Sequence, residues 1–302
     1  MFAGIDISKN WVDVAVAESA DRLRRAEPEK AAQWLAERGI RHAVLEATGG
    51  YERPMIEALH RAGIAVSRIN PRQARAFAQA LGSTAKTDVI DAENLAIYAK
   101  ALTPDTLSNT DESRKILQEI LARRQDLVQM RTQEKNRLAQ QRSPLLRQQI
   151  EQMISLFDEQ IRQLECAMRQ HLQAHPLLSK QAAQLTTMPG IGFITSLILI
   201  AFLPELGQIP RNAIASLVGV APHPRQSGQW KGKNFCSGGR AVVRNALYMA
   251  AVANLRRENR FRKHYQHLIQ KGKPPKVALV AIMRKMLITL NTLIKNNTHF
   301  IP

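Results

Sequence analysis

The sequence predicts an α/β layer domain at the N-terminus, then a long helical hairpin, then a mainly helical and strongly basic C-terminal domain. Three observations predict it. Short β-rich runs alternate with helical-period runs up to about residue 100. After residue 112, apolar positions recur only at helical spacing. Residues 181–302 hold 17 Lys and Arg against two acids, Glu205 and Glu258, a net +15 of the chain's +18. The boundaries that follow are 1–103, 104–176 and 177–302.

Residues 2–9 and 11–17 are two β-rich runs joined by a short polar turn, which predicts a β-hairpin. Residues 28–38 predict an amphipathic helix stopped by Gly39. A strand follows at 42–47, a helix at 52–62, a strand at 64–69, and helices at 72–81 and 88–100. Residues 101–112 are a polar linker. Two apolar series broken at Ser143-Pro144 then predict an antiparallel, coiled-coil-like hairpin, read either as a spacer or as a subunit interface. Pro189-Gly190-Ile191-Gly192 leads into the apolar run Phe193–Leu203, the pattern of a helix-hairpin-helix whose turn amides bind a phosphate backbone. Residues 224–240 are glycine-rich and basic without periodicity, and predict a long exposed loop ahead of a helix at 241–254.

The charge asymmetry points to a polyanionic partner for the C-terminal part, with nucleic acid first. Cys166 and Cys236 lie far apart without metal-ligand spacing, so a reducing cytoplasm is expected. Met1 leads directly into a strand-like run rather than a signal peptide. The run Phe193–Leu203 is too short to span a bilayer, so no membrane association is expected.

Four acids stand out. Asp6 lies inside the first strand between Ile5 and Ile7, where a charge is costly without a partner. Glu46 ends the strand that precedes Thr48-Gly49-Gly50, and strand ends are where α/β sites collect. Asp88 and Asp91 lie three apart at a helix start, hence on one face. That pair reads as an N-cap with a first-turn acid or as ligands for a hard divalent cation. All four together suit a two-Mg²⁺ clamp for phosphoryl transfer. In the basic half, Cys236 and Ser237 are adjacent candidate nucleophiles. The alternative makes Ser237 a helix cap and Cys236 a small apolar residue.

Gly4-Ile5-Asp6-Ile7-Ser8-Lys9, Glu46-Ala47-Thr48-Gly49, Asn70-Pro71 and Lys86-Thr87-Asp88-Val89-Ile90-Asp91-Ala92 resemble the motifs of the DEDD transposases. That family comprises bridge-RNA-guided insertion-sequence recombinases and the related Piv-type pilin-gene invertases. The resemblance implies an RNase H-like, RuvC-like N-terminal domain and a mainly α transposase domain with a helix-hairpin-helix-like element. It further implies that Asp6, Glu46, Asp88 and Asp91 hold Mg²⁺ or Mn²⁺. Ser237, ahead of Arg244-Asn245-Ala246-Leu247, would be the nucleophile of a covalent phosphoserine intermediate. Gly238 stands where the family often has lysine, so Ser227 remains the alternative register. The implied partners are donor and target DNA, a structured guide RNA, and further copies of the chain in a dimer to tetramer. The implied location is the prokaryotic cytoplasm, in association with the nucleoid. Against this stand a metal-dependent RuvC-like nuclease or junction resolvase and a Piv-like invertase without an RNA guide. An actin-like kinase would need Asp-Gly phosphate loops, and residues 181–302 contain no Asp. A helix-hairpin-helix binding module would leave the acids unexplained.

Overall fold

Phe2–Ile7 (β1) and Val12–Val16 (β2) pair antiparallel, with Ile5 opposite Val14 and Asp6 opposite Asp13. These coordinates are a computed structural model, which describes residues 1–82, 88–107, 112–222, the backbone of 226–227 and 230–231, 235–256 and 258–301. Lys86 and Thr87, much of the 224–240 stretch, the side chain of Ser227 and part of the 101–112 linker lie outside the described residues. A third strand, Arg22–Ala26 (β3), extends the hairpin antiparallel beside β2. The sequence did not announce it. Three arginines in five residues hide the alternation, which is tolerable only because β3 lies at the sheet edge.

The chain continues through Pro28–Glu37 (α1), His42–Glu46 (β4), Arg53–Arg61 (α2), Ala65–Ile69 (β5), Pro71–Ala80 (α3) and Asp88–Leu102 (α4). These match the expected elements within a residue or two. β4 runs parallel to β1, and β5 parallel to β4, giving a mixed five-stranded sheet in the order β3-β2-β1-β4-β5. Alternation sends Ile5, Leu45 and Val66 to one face, against Leu35 of α1 and Leu59 of α2. Val44 goes to the other face, against Leu95, Tyr98 and Ala99 of α4. The chain leaving α4 is latched to β5, because the Ser67 hydroxyl donates to the Pro104 carbonyl and the Leu107 N–H to the Val66 carbonyl.

The described chain divides into two compact units, Met1–Thr110 and Asp111–Pro302. The second opens with Glu112–Gln140 (α5) and Pro144–Ala174 (α6), a hairpin broken at the expected Ser143-Pro144. It continues through Pro176–Thr186 (α7), Phe193–Phe202 (α8), Arg211–Val218 (α9), Ala241–Asn254 (α10), Arg260–Gln270 (α11) and Pro275–Asn296 (α12). Between α9 and α10, Gln226–Ser227 (β6) pairs antiparallel with Trp230–Lys231 (β7), a short ladder inside a stretch read from sequence as loop alone.

The base of the hairpin contributes Leu117, Leu121, Met168 and Leu172 to the same core as α7–α12. The distal part contributes none. Leu127 is the last buried residue of α5 and Ile161 the first of α6. Among the described residues, one helix, α12, is long and apolar enough to cross a membrane by length and composition, longer than the run Phe193–Leu203 that stands out in the sequence. Half of its apolar window is buried, and Ile282, Met286, Leu287 and Leu290 pack into the core of this unit.

Candidate active-site elements

The acids of the first unit are brought together by strand parity and one glycine. Gly4 and Asp6 lie on the same face of β1, the face covered by α4. Glu46 follows Val44 by two residues on β4 and shares that face; Ile5 pairs with Leu45, so Asp6 and Glu46 end up side by side. A Cβ on Gly4 would stand 2.2 Å from the Ala92 carbonyl oxygen and 2.2 Å from the Ala96 nitrogen. Only glycine lets α4 lie this close, and the preceding turn of α4 carries Asp88 and Asp91.

Electrostatics register the outcome. The Asp6 pKa is pushed up from 3.8 to about 7, first by burial and then by the charges of Asp88, Asp91, Glu46 and Asp13. Glu46 and Asp91 are half-buried, and Asp88 is exposed. Among the described residues, no three His, Cys, Asp or Glu side chains are arranged as a ready metal cluster. The donor set is all-oxygen, which fits a hard divalent cation.

Asp13 was not singled out from sequence. It is buried opposite Asp6, yet it is compensated from β3. The Arg25 N–H donates to it at 3.3 Å, with Arg25 held at φ 49° beside a β-bulge, and the Arg24 guanidinium lies 3.7 Å away. The signal was available, since a tight hairpin turn places Asp13 across from Asp6.

Glu52, also unanticipated, organises the turn after Glu46. Its buried carboxylate accepts from the Thr48 N–H, the Thr48 hydroxyl and the Gly50 N–H at 2.8–3.2 Å, and from Arg68. Burial opposes its ionisation, but the backbone N–H groups of Glu52 and Gly50 and the Thr48 donors outweigh burial. Its pKa therefore lies below the usual glutamate value.

In the second unit, Ser237 is exposed and followed by a tightly held turn. Gly238 and Gly239 have φ of 71° and 70°. A Cβ on Gly239 would lie 2.3 Å from the Gly219 nitrogen, so two backbones touch there. The Arg240 N–H donates to the Leu217 carbonyl at 3.0 Å. The Arg240 guanidinium grips Glu205 through two 2.5 Å bonds and reaches the Phe202 carbonyl. Arg244 donates to the Gly238 and Val218 carbonyls. The serine therefore stands at the mouth of an anchored turn, not on a free loop as its glycine-rich surroundings suggested. Arg240, not Ser237, is the N-cap of α10, and its side chain makes no cap bond, so the capping explanation of Ser237 fails. Burial raises the Cys236 pKa above its ordinary value, with Arg284 opposing in part, which keeps that thiol protonated near neutral pH.

Comparison with known proteins covers both regions. Residues 3–148 match the DEDD transposase profile of the IS110 type, and residues 182–266 match the profile described as transposase, IS116/IS110/IS902 family. The pilin gene-inverting proteins of Moraxella lacunata and Moraxella bovis are each 31% identical over 264 residues, 86% of this chain and 81% of theirs. An uncharacterised 43.6 kDa protein of insertion element IS110 from Streptomyces coelicolor is 29% identical over 149 residues, 49% of this chain and 36% of its own length. These matches define the class: an enzyme that acts on DNA as a transposase or recombinase. The chain belongs to the IS110-type DEDD transposase family. A mixed five-stranded sheet flanked by helices is consistent with the RNase H-like domain expected of that family.

Proposed function

We propose that this transposase cuts and rejoins DNA through a serine nucleophile assisted by the acids on the N-terminal sheet. The observation that carries the proposal is the Asp6 environment, a half-buried carboxylate surrounded by other carboxylates with no ion pair of its own among the described residues. Carboxylates perturbed in this way by burial and like charge cluster at functional sites. Asp6, Glu46, Asp88 and Asp91 would hold Mg²⁺ or Mn²⁺, which when bound polarises a phosphodiester and stabilises developing negative charge.

Ser237 Oγ then attacks phosphorus. The Oγ–P bond forms, the P–O bond to the leaving strand breaks, and the serine proton is accounted for on the departing deoxyribose oxygen. Rejoining reverses the step with the hydroxyl of another strand end, so the bond energy is conserved in the phosphoserine. The anchored Gly238–Arg240 turn fixes the backbone that follows Ser237, and with no base adjacent in sequence, activation is assigned to the acid site. The basic face of α11 and α12 contacts DNA backbone.

The distal hairpin exposes Met130, Leu145, Leu146, Met153 and Leu156. That stripe supports assembly of several copies, through which serine and acids from different subunits meet. A structured guide RNA pairing with both DNAs follows from the family resemblance. Inversion of a DNA segment without such a guide is the second reading, favoured by the similarity to the Moraxella pilin gene-inverting proteins.

Trapping protein–DNA adducts with end-labelled DNA on denaturing gels tests the nucleophile. The adduct should vanish in Ser237→Ala and persist in Cys236→Ala and Ser227→Ala. Cleavage without any adduct in the wild type would leave a metal-only nuclease as the better account.

A further inference from the structure

Cations in the N-terminal unit are unevenly employed. Most have partners, as Arg22 has Glu93, Arg61 has Glu29 and Arg68 has Glu52. Two more, Arg25 and Arg38, lie over the indoles of Trp11 and Trp34. Among the described residues, the exposed Lys9, Arg41, Arg72 and Arg75 side chains have neither an acid nor a ring.

Three of these four stand at one end of the parallel strands. Lys9 lies in the turn that follows β1, and Arg72 and Arg75 lie in the first half of α3, which leaves the end of β5. β1, β4 and β5 are parallel, so this is the C-terminal end where Asp6 and Glu46 sit. Arg41 immediately precedes β4 and therefore lies at the opposite end.

Local stability does not explain the two arginines. They occupy the start of α3, where positive charge opposes the helix dipole, and no acid stands in that first turn to compensate. The helix start is already closed by Asn70 and Gln73 in a capping box. The side of α3 that packs inward uses Ala74 and Phe77, and Phe77 meets Tyr98 of α4 edge-on. Packing therefore leaves Arg72 and Arg75 outside.

A strand delivered to the acids carries a row of phosphates. The acid site and its cation deal with one of them, and its neighbours arrive as uncompensated anions at the rim. We infer that Lys9, Arg72 and Arg75 form a backbone-gripping rim that holds the phosphates flanking the scissile bond of the DNA. This rests on the acid-site reading above and adds a surface to it. Arginine suits the task, since its planar fork binds phosphate bidentately.

The test is the salt dependence of binding by the full chain to a short mixed-sequence DNA duplex in the absence of divalent metal. Arg72→Ala/Arg75→Ala should lower the slope of log affinity against log salt by about 2, about one per lost contact. Arg72→Lys/Arg75→Lys should restore most of it. Arg41→Ala, likewise an exposed cation but at the opposite end of the strands, should leave the slope unchanged. An unchanged slope in the double alanine variant overturns the inference. So does an equal fall in Arg41→Ala, which would mean diffuse attraction, or a fall seen with an RNA hairpin and not with the duplex. Asp6→Asn separates the two claims: it should lose cleavage while keeping the wild-type slope. Cleavage by Asp6→Asn would refute the acid site without touching the rim.

Discussion

Replacing Gly4 with alanine adds one methyl group at the tightest contact beneath the acid site. That methyl would lie 2.2 Å from the Ala92 carbonyl oxygen, 2.2 Å from the Ala96 nitrogen and 2.7 Å from the Leu95 carbonyl carbon. All three are backbone atoms, so no side chain can swing aside. Ordinary contact begins at 3.4 Å, and α4 must therefore move off β1 by roughly 1 Å or more. Overpacking of this kind costs about 1–3 kcal/mol. The displacement carries Asp88 and Asp91 with it, and a misplacement of ~1 Å costs about 10²-fold in rate. Urea unfolding gives the first quantity, and single-turnover DNA cleavage with saturating Mg²⁺ gives the second. Gly192→Ala is the control, because its Cβ would meet nothing within 4 Å and its φ is −87°. A Gly4→Ala protein with stability within about 0.5 kcal/mol of wild type and undiminished cleavage would refute the claim that this glycine sets the acid geometry.

Two further outcomes follow from the site. The folded Asp6 pKa of about 7 exceeds its ordinary 3.8, so the fold binds more protons between those values and the metal-free protein should lose stability as pH rises through that window. Asp6→Asn should abolish that fall, and melting curves in chelator from about pH 4 to 8 that run parallel for the two proteins would contradict it. Gly239→Ala meets both a φ of 70° and a 2.3 Å contact with the Gly219 nitrogen. It should reduce covalent adduct formation at least tenfold, about 1.4 kcal/mol, with Ser237 intact and salt-dependent DNA binding unchanged; full adduct yield would show that the turn does not hold the nucleophile.

The regular elements were legible because the early strands and helices bury one face each, and burial writes a period into the residues. The hairpin at Asp6, the strand ending in Glu46 and the Asp88–Asp91 helix start could all be read that way. So could the break at Ser143-Pro144, because a proline there ends one helix and begins the next. β3 could not, since an edge strand of Arg22-Leu23-Arg24-Arg25-Ala26 buries little and leaves no alternation. α12 was underread because Arg284 and Lys285 divide its apolar run in two, although the buried positions Ala278/Leu279, Ile282/Met283, Met286/Leu287 and Leu290/Asn291 keep one helical face throughout.

Sequence alone determined which residue types were present for chemistry, namely an acid inside an apolar strand, a pair of acids one helical turn apart, and a serine among glycines beside a basic half. Only the tertiary structure decided what surrounds them. Whether Asp6 faces Asp88 and Asp91 depends on how closely α4 can approach β1, which Gly4 sets through a distance between segments nearly ninety residues apart. Whether Ser237 is held or loose depends on Gly219, Glu205 and Arg240 meeting across three helices. A pattern in the chain records which side of a segment is buried; it does not record which segment lies against it, and the surroundings of Asp6 and Ser237 are a property of that contact.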